Sequence, residues 1–140
     1  MKHQDLTDKI IGVFYEVYNE LGHGFLESVY EKAMIIAFEE RGISVQSQVE
    51  VPVWFHGKRA GIFYADLLIE NLIIVQLKAV RTLDSAHEAQ LLNYLKATEI
   101  EIGLLLDFSL KPEIKRRIYD NQRKQIRKNP CSSVAILFEE

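Results

Sequence analysis

Residues 64–80 read YADLLIENLIIVQLKAV. The apolar, β-branched runs LLI and LIIV flank a tight turn at Glu70–Asn71, which predicts a hairpin of two strands buried on both faces. Three polar side chains interrupt the apolar text: Asp66, Gln76 and Lys78. Charged groups are seldom buried without partners, because desolvating an ion costs on the order of several kcal/mol. An acid, an amide and a lysine gathered on one hairpin therefore mark a candidate site.

Side chains two apart share a face of a strand, so Gln76 and Lys78 point the same way. Asp66 is harder to place. A strict two-residue turn at Glu70–Asn71 sets it opposite Val75 and turns it to the other face. Convergence requires a three-residue turn, a bulge, or strands that splay apart at this point.

Upstream, Leu6, Ile10, Val13, Phe14, Val17 and Leu21 recur at helical spacing over residues 5–21. Gly22-His23-Gly24 breaks that helix, and a second runs over about 26–41, with Leu26, Tyr30, Ala33, Ala37 and Phe38 on one side and Gly42 at its end. The period then changes to two: Ile43, Val45, Val49 and Val51 alternate with polar residues, as on a half-exposed strand. Pro52 fits an edge strand or a bulge, and His56-Gly57 a hairpin tip. Downstream, Ser85 and Glu88 make a capping box for a helix to about residue 97, with Leu91, Leu92 and Leu95 as its stripe. Ile102–Leu106 is a continuous apolar run, expected of a central strand. Pro112 to Arg127 reads as a basic helix, and the final SSVAILFEE as a short strand, a docked tail or a homodimer contact. The expected fold is a single α/β domain over 1–140, a mixed central sheet flanked by helices, with the core at about 5–110 and a basic C-terminal helix and tail at about 111–140.

The 140 residues suffice for one proper core. Eight of the 17 Lys and Arg residues lie between Lys111 and Lys128 against two acids, Glu113 and Asp120, although the whole chain carries a net −3. Such a block suits phosphate contact or a solvated helix. No apolar run is long enough to span a bilayer, no signal-peptide pattern opens the chain, and the lone Cys131 points to a reducing cytoplasm. No Cys/His cluster, Gly-rich phosphate loop or Ser/His/Asp arrangement stands out, which argues against structural zinc, nucleotide-dependent chemistry and serine-type catalysis.

Metal-assisted phosphodiester cleavage needs carboxylates to hold Mg²⁺ through oxygen, and a lysine to orient water and stabilise developing charge. Asp66 with Gln76-x-Lys78 offers most of this set. The D-x9-Q-x-K pattern resembles the PD-(D/E)xK nuclease superfamily, which usually has Glu where Gln76 stands. Gln90-Leu-Leu-Asn-Tyr94 resembles the Q-x3-Y helix motif of its RecB-like branch, and Gly24-Phe-Leu-Glu27-Ser-Val-Tyr30 the signature of the GxxExxY family. The resemblance spans roughly residues 5–118 and implies a restriction-endonuclease-like αβββαβ core. It also implies Asp66, Gln76 and Glu27 as ligands of Mg²⁺ or Mn²⁺, and Lys78 as the catalytic lysine. Gln90, Tyr94 and His87, together with the basic Lys115, Arg116 and Arg117, become nucleic-acid contacts, with DNA as the expected polymer.

Gln76 is the departure. Its amide oxygen binds a hard cation without formal charge. Three readings follow: a working site whose carboxylates are Asp66 and Glu27, a site that binds without cleaving, or a change engineered to trap an inactive form. The alternatives to a nuclease are a nucleic-acid-binding module and a protein-interaction scaffold on the same fold. Taken singly, Glu27 also suits a helix start, Tyr94 a core, Gln90 and His87 a surface, and Lys78 an ion pair with Asp66.

Overall fold

The computed structural model describes residues 2–124. The SSVAILFEE tail and its expected dimer contact lie outside them. Helices α1 (Gln4–Leu21) and α2 (Glu27–Glu40) precede strands β1 (Val45–Phe55), β2 (Lys58–Ile69) and β3 (Ile73–Lys78). Helix α3 (Ser85–Lys96), strands β4 (Ile102–Asp107) and β5 (Glu113–Ile118), and a single 3₁₀ turn at Asn121–Arg123 follow. The strands form one sheet in the order β1-β2-β3-β4-β5. Only β3 and β4 pair in parallel, joined by the α3 crossover; the other pairs are antiparallel. This is the expected mixed α/β architecture.

Helices α1 and α2 cover one face of the sheet. Ile10, Val13, Phe14, Tyr30, Met34 and Phe38 pack there on Leu67, Ile73, Val75, Leu77, Leu104 and Leu106. The smaller α3 core on the other face joins Leu91, Tyr94 and Leu95 to Val51, Ala65, Ile74 and Leu105. Both α1 and α2 thus follow their apolar periodicity, with one exception: Leu26, expected on the inner stripe, is 76% exposed and precedes α2 in extended backbone. Gly42 ends α2 in the left-handed region, where a side chain is strained.

The close approach of α3 to β4 depends on Gly103. A Cβ there meets Leu91 Cδ1 at 2.7 Å, and Leu91 is fully buried. Gly103→Ala should therefore destabilise by about 1–3 kcal/mol through overpacking, read as a lower denaturation midpoint at an unchanged m-value.

Two elements differ from their sequence readings. The basic segment begins with an edge strand, not a helix. Pro112 and the charge density suggest a helix start, but Ile114 packs into the α1/α2 core and the segment pairs along β4 from Glu113 to Ile118. Lys and Arg on an edge also protect it from pairing with other chains. The cap of α3 is one residue early: Asp84 accepts from Ala86 N–H (2.9 Å) and His87 N–H (3.2 Å), and Asp84 N–H donates to His87 Nδ1 (3.2 Å). Asp84 is as good a cap as Ser85, and its His87 partner completes the reciprocal pair.

Candidate active site

The turn after β2 resolves the difficulty over Asp66. Ile69 pairs with Ile73, so the loop is three residues, Glu70 to Leu72, with Glu70 and Asn71 both at positive φ (54° and 57°). The regular ladder ends at Leu67↔Val75. Continuing that register brings Asp66 opposite Gln76, and there the strands fork. Two side chains replace the missing backbone bonds: Asp66 N–H donates to Gln76 Oε1 (2.7 Å), and Leu77 N–H donates to Asp66 Oδ2 (2.8 Å). The carboxylate is therefore held at the edge of β3, two residues from Lys78.

A second irregularity faces it on β1. Val45 packs in the α1/α2 core, whereas Val49 and Val51 pack toward α3. On β2, Leu67 belongs to the first core and Ala65 to the second. Inside-outside alternation thus reverses on both strands. Gln48 sits at the reversal with φ 51°, in the gap between the pairs Ser47↔Leu67 and Val49↔Ala65. Its Nε2 donates to both carboxylate oxygens of Glu31 (3.1 and 3.2 Å) and to Asp66 Oδ1 (3.5 Å). Two acids from different elements thus converge on one amide.

Glu27 is exposed, yet it is tied to the end of β3, where its carboxylate accepts from Ala79 N–H (3.1 Å). Glu31 lies one helical turn further along α2, on the same side. Sequence reasoning missed it. The signal was its i+4 spacing from Glu27, which is common on solvated helices.

Burial pushes the Asp66 carboxyl above its usual range; the Leu77 N–H, Gln48 and Lys78 pull it back, and Glu27 adds to the rise. Glu31 is raised for the same leading reason, with Asp66 contributing after Gln48's opposing bond. Burial, and then the charge of Asp66, raise the Tyr94 phenol. Asp66 thus shares its electrostatic field with Lys78, Glu27, Glu31 and Tyr94. In the parallel ladder Lys78 is level with the buried Asp107, which accepts from Val80 N–H (3.0 Å) and fixes the chain just beyond β3.

The outer candidates divide. Tyr94 is buried and stacks on Phe63, with centroids 3.9 Å apart and an interplanar angle of 17°. Gln90 is exposed on α3. His87 serves in the α3 cap. Arg117 pairs with Glu88 of α3 and donates to the Arg116 carbonyl (2.7 Å), while Arg116 donates to the Lys2 carbonyl (3.2 Å). Two of the three basic residues expected to meet phosphate are therefore engaged within the fold, and Lys115 is half-buried beside them on β5.

A half-buried aspartate within β2, a Gln-x-Lys pair on β3 and acids of α2 close by make up the candidate site. The chain belongs to the PD-(D/E)XK nuclease superfamily, whose family model matches residues 4–117. No curated protein matches it. Among solved structures, "Crystal structure of SSO0001" is similar at 16% identity with a TM-score of 0.46, over 66% of this chain and 50% of that one. The chain thus spans about half the length of that structure.

Proposed function

We propose that the protein is a divalent-metal-dependent nuclease that hydrolyses phosphodiester bonds of nucleic acid, DNA foremost, in the cytoplasm. Within the superfamily, the Gly24–Tyr30 and Gln90–Tyr94 motifs favour the GxxExxY group of the RecB-like branch. The observation that carries the reading is the fork between β2 and β3, which holds the Asp66 carboxylate on Leu77 N–H within the field of Lys78, with Glu31 joined to it through Gln48.

The donor set suits a hard cation. Among the described residues no three His, Cys, Asp or Glu side chains form a ready metal cage. Mg²⁺ commonly takes one or two carboxylates and completes its shell with water and substrate oxygens, so the Asp66–Glu31 pair, with Glu27 nearby, is a sufficient protein contribution. Gln76 supports this pair by fixing the Asp66 backbone. When bound, the cation lowers the pKa of a coordinated water and offsets phosphate charge. The Lys78 ammonium stabilises the negative charge that builds on the phosphoryl oxygens. The raised Asp66 and Glu31 carboxyls favour a site that gains a cation as it loses protons.

Plasmid, single-stranded DNA and RNA incubated with Mg²⁺ or Mn²⁺ provide the test. Cleavage should stop with chelator and fall by about 10²–10³-fold in Lys78→Ala. Glu31→Gln should weaken Mn²⁺ binding while leaving the fold intact by circular dichroism. Absence of metal-dependent cleavage in the wild type and in Gln76→Glu alike would leave only binding functions for this fold.

A further inference from the structure

On the α3 side of the sheet, beyond the fork, lies a cavity of about 260 Å³ walled by Trp54, Phe63, Asn93 and Lys96, with Pro52, Val53 and Ala97 completing it. Val53 and Trp54 are consecutive on β1, and in a regular strand they would face opposite sides. Both line this cavity because the β1–β2 register shifts between them. Bulges commonly re-aim a side chain in this way. The re-aimed indole is incomplete: Trp54 Nε1 is buried with no hydrogen-bond partner, although buried donors are nearly always satisfied.

The other walls complement it. Phe63 presents a ring already braced by its stack on Tyr94. Lys96 makes no ion pair among the described residues; its ammonium lies 5.6 Å from the centroid of the Tyr119 ring. Asn93 is exposed at the rim. The volume falls below the roughly 300–1,000 Å³ of pockets for drug-sized ligands, so it suits a single ring system. Phe63 precedes Asp66 by three residues on β2, roughly 10 Å at the strand rise, and Tyr94 lies within the field of Asp66.

We propose that this cavity receives one unstacked nucleobase of the substrate strand, a few nucleotides from the bond held at Asp66. The base lies against Trp54 and Phe63, and Lys96 meets the adjoining phosphate. A base in a duplex is stacked on both faces and paired along one edge, so the pocket selects single-stranded or frayed nucleic acid. This deepens the nuclease reading and rests on it for the identity of the polymer.

Trp54 is the sole tryptophan, so its fluorescence reports the pocket directly. The full chain in chelator is titrated with an oligo-dT single strand, the same length of abasic sugar-phosphate strand, and a duplex. Saturable quenching by oligo-dT is expected, at least about tenfold tighter than for the abasic strand or the duplex, as base–aromatic stacking allows. Phe63→Leu keeps the fluorophore and should weaken oligo-dT binding by about tenfold or more. Trp54→Phe, followed by anisotropy of a labelled strand, should weaken it less. Equal quenching by the abasic strand or the duplex, binding that leaves the indole emission unchanged, or no binding at low salt overturns the pocket. The two readings separate in Lys78→Ala, which should lose cleavage and keep the quenching. Cleavage by wild type with silent indole emission removes the pocket alone, and quenching without any cleavage removes the nuclease alone.

Discussion

Asp66→Asn should reduce metal-dependent cleavage by about 10²–10³-fold or more and, in the same preparation, raise the melting temperature of the metal-free protein at neutral pH. The two effects share a cause. Burial holds the Asp66 proton to higher pH in the native state than in the unfolded chain. The stability that accompanies the neutral form is complete below the unfolded value and is lost as pH rises through the native one. Asparagine stays neutral, and its amide oxygen can still accept from Leu77 N–H. Thermal melts in chelator should therefore show wild-type stability falling with rising pH through that window and a shallower fall in the variant. Glu31 and Asp107, both raised chiefly by burial, add to that slope, and Glu101, lowered chiefly by its bond from Asn121 N–H, opposes it. A lower melting temperature for Asp66→Asn would instead mark the aspartate as a mere ion partner of Lys78, because the lysine would be left uncompensated.

Gln76→Glu should act in the opposite sense. Gln76 is 5% exposed, and its Oε1 accepts from Asp66 N–H. A glutamate oxygen can accept that bond equally well, so the fork should persist. The added charge lies beside Asp66, which already feels Glu27 and Glu31. Without metal, the variant should lose about 1–3 kcal/mol or more, several degrees of melting temperature for a chain of this size. With Mn²⁺ the loss should reverse, and calorimetric affinity should rise about tenfold or more, because charge count tunes divalent-cation affinity. Equal metal affinity in the two proteins would show that position 76 lies outside the cation's reach.

The elements that bury a continuous or periodic apolar surface were legible in the sequence. Ile102–Leu106, the hairpin strands and both N-terminal helices owe their form to that patterning. Where the structure departs, local chemistry outweighed pattern. The turn at Glu70–Asn71 has the left-handed pair and the Leu72 N–H to Ile69 carbonyl bond of a two-residue turn, but the ladder resumes at Ile69↔Ile73, and nothing in the apolar run marks Leu72 as the extra residue. The edge strand Glu113–Ile118 carries three consecutive cations and no apolar alternation, so only its pairing with β4 reveals it. At the site, the motif residues Asp66, Gln76 and Lys78 could be named in advance. The Gln48–Glu31 bridge could not, because it depends on a reversal of side-chain facing created by one strained glutamine on β1.

The hairpin tip at His56–Gly57 and the loop at Glu70–Leu72 look alike as surface connections, but they differ in how freely they can change. Extra residues at the first project into solvent, and chain closure penalises added length only slowly. The second sets the phase of the acid relative to the lysine, since each residue gained or lost turns Asp66 to the opposite face. Insertions and deletions that most surface connections absorb would there turn the candidate acid away together with Ala65, Leu67 and Ile69, which belong to the two cores.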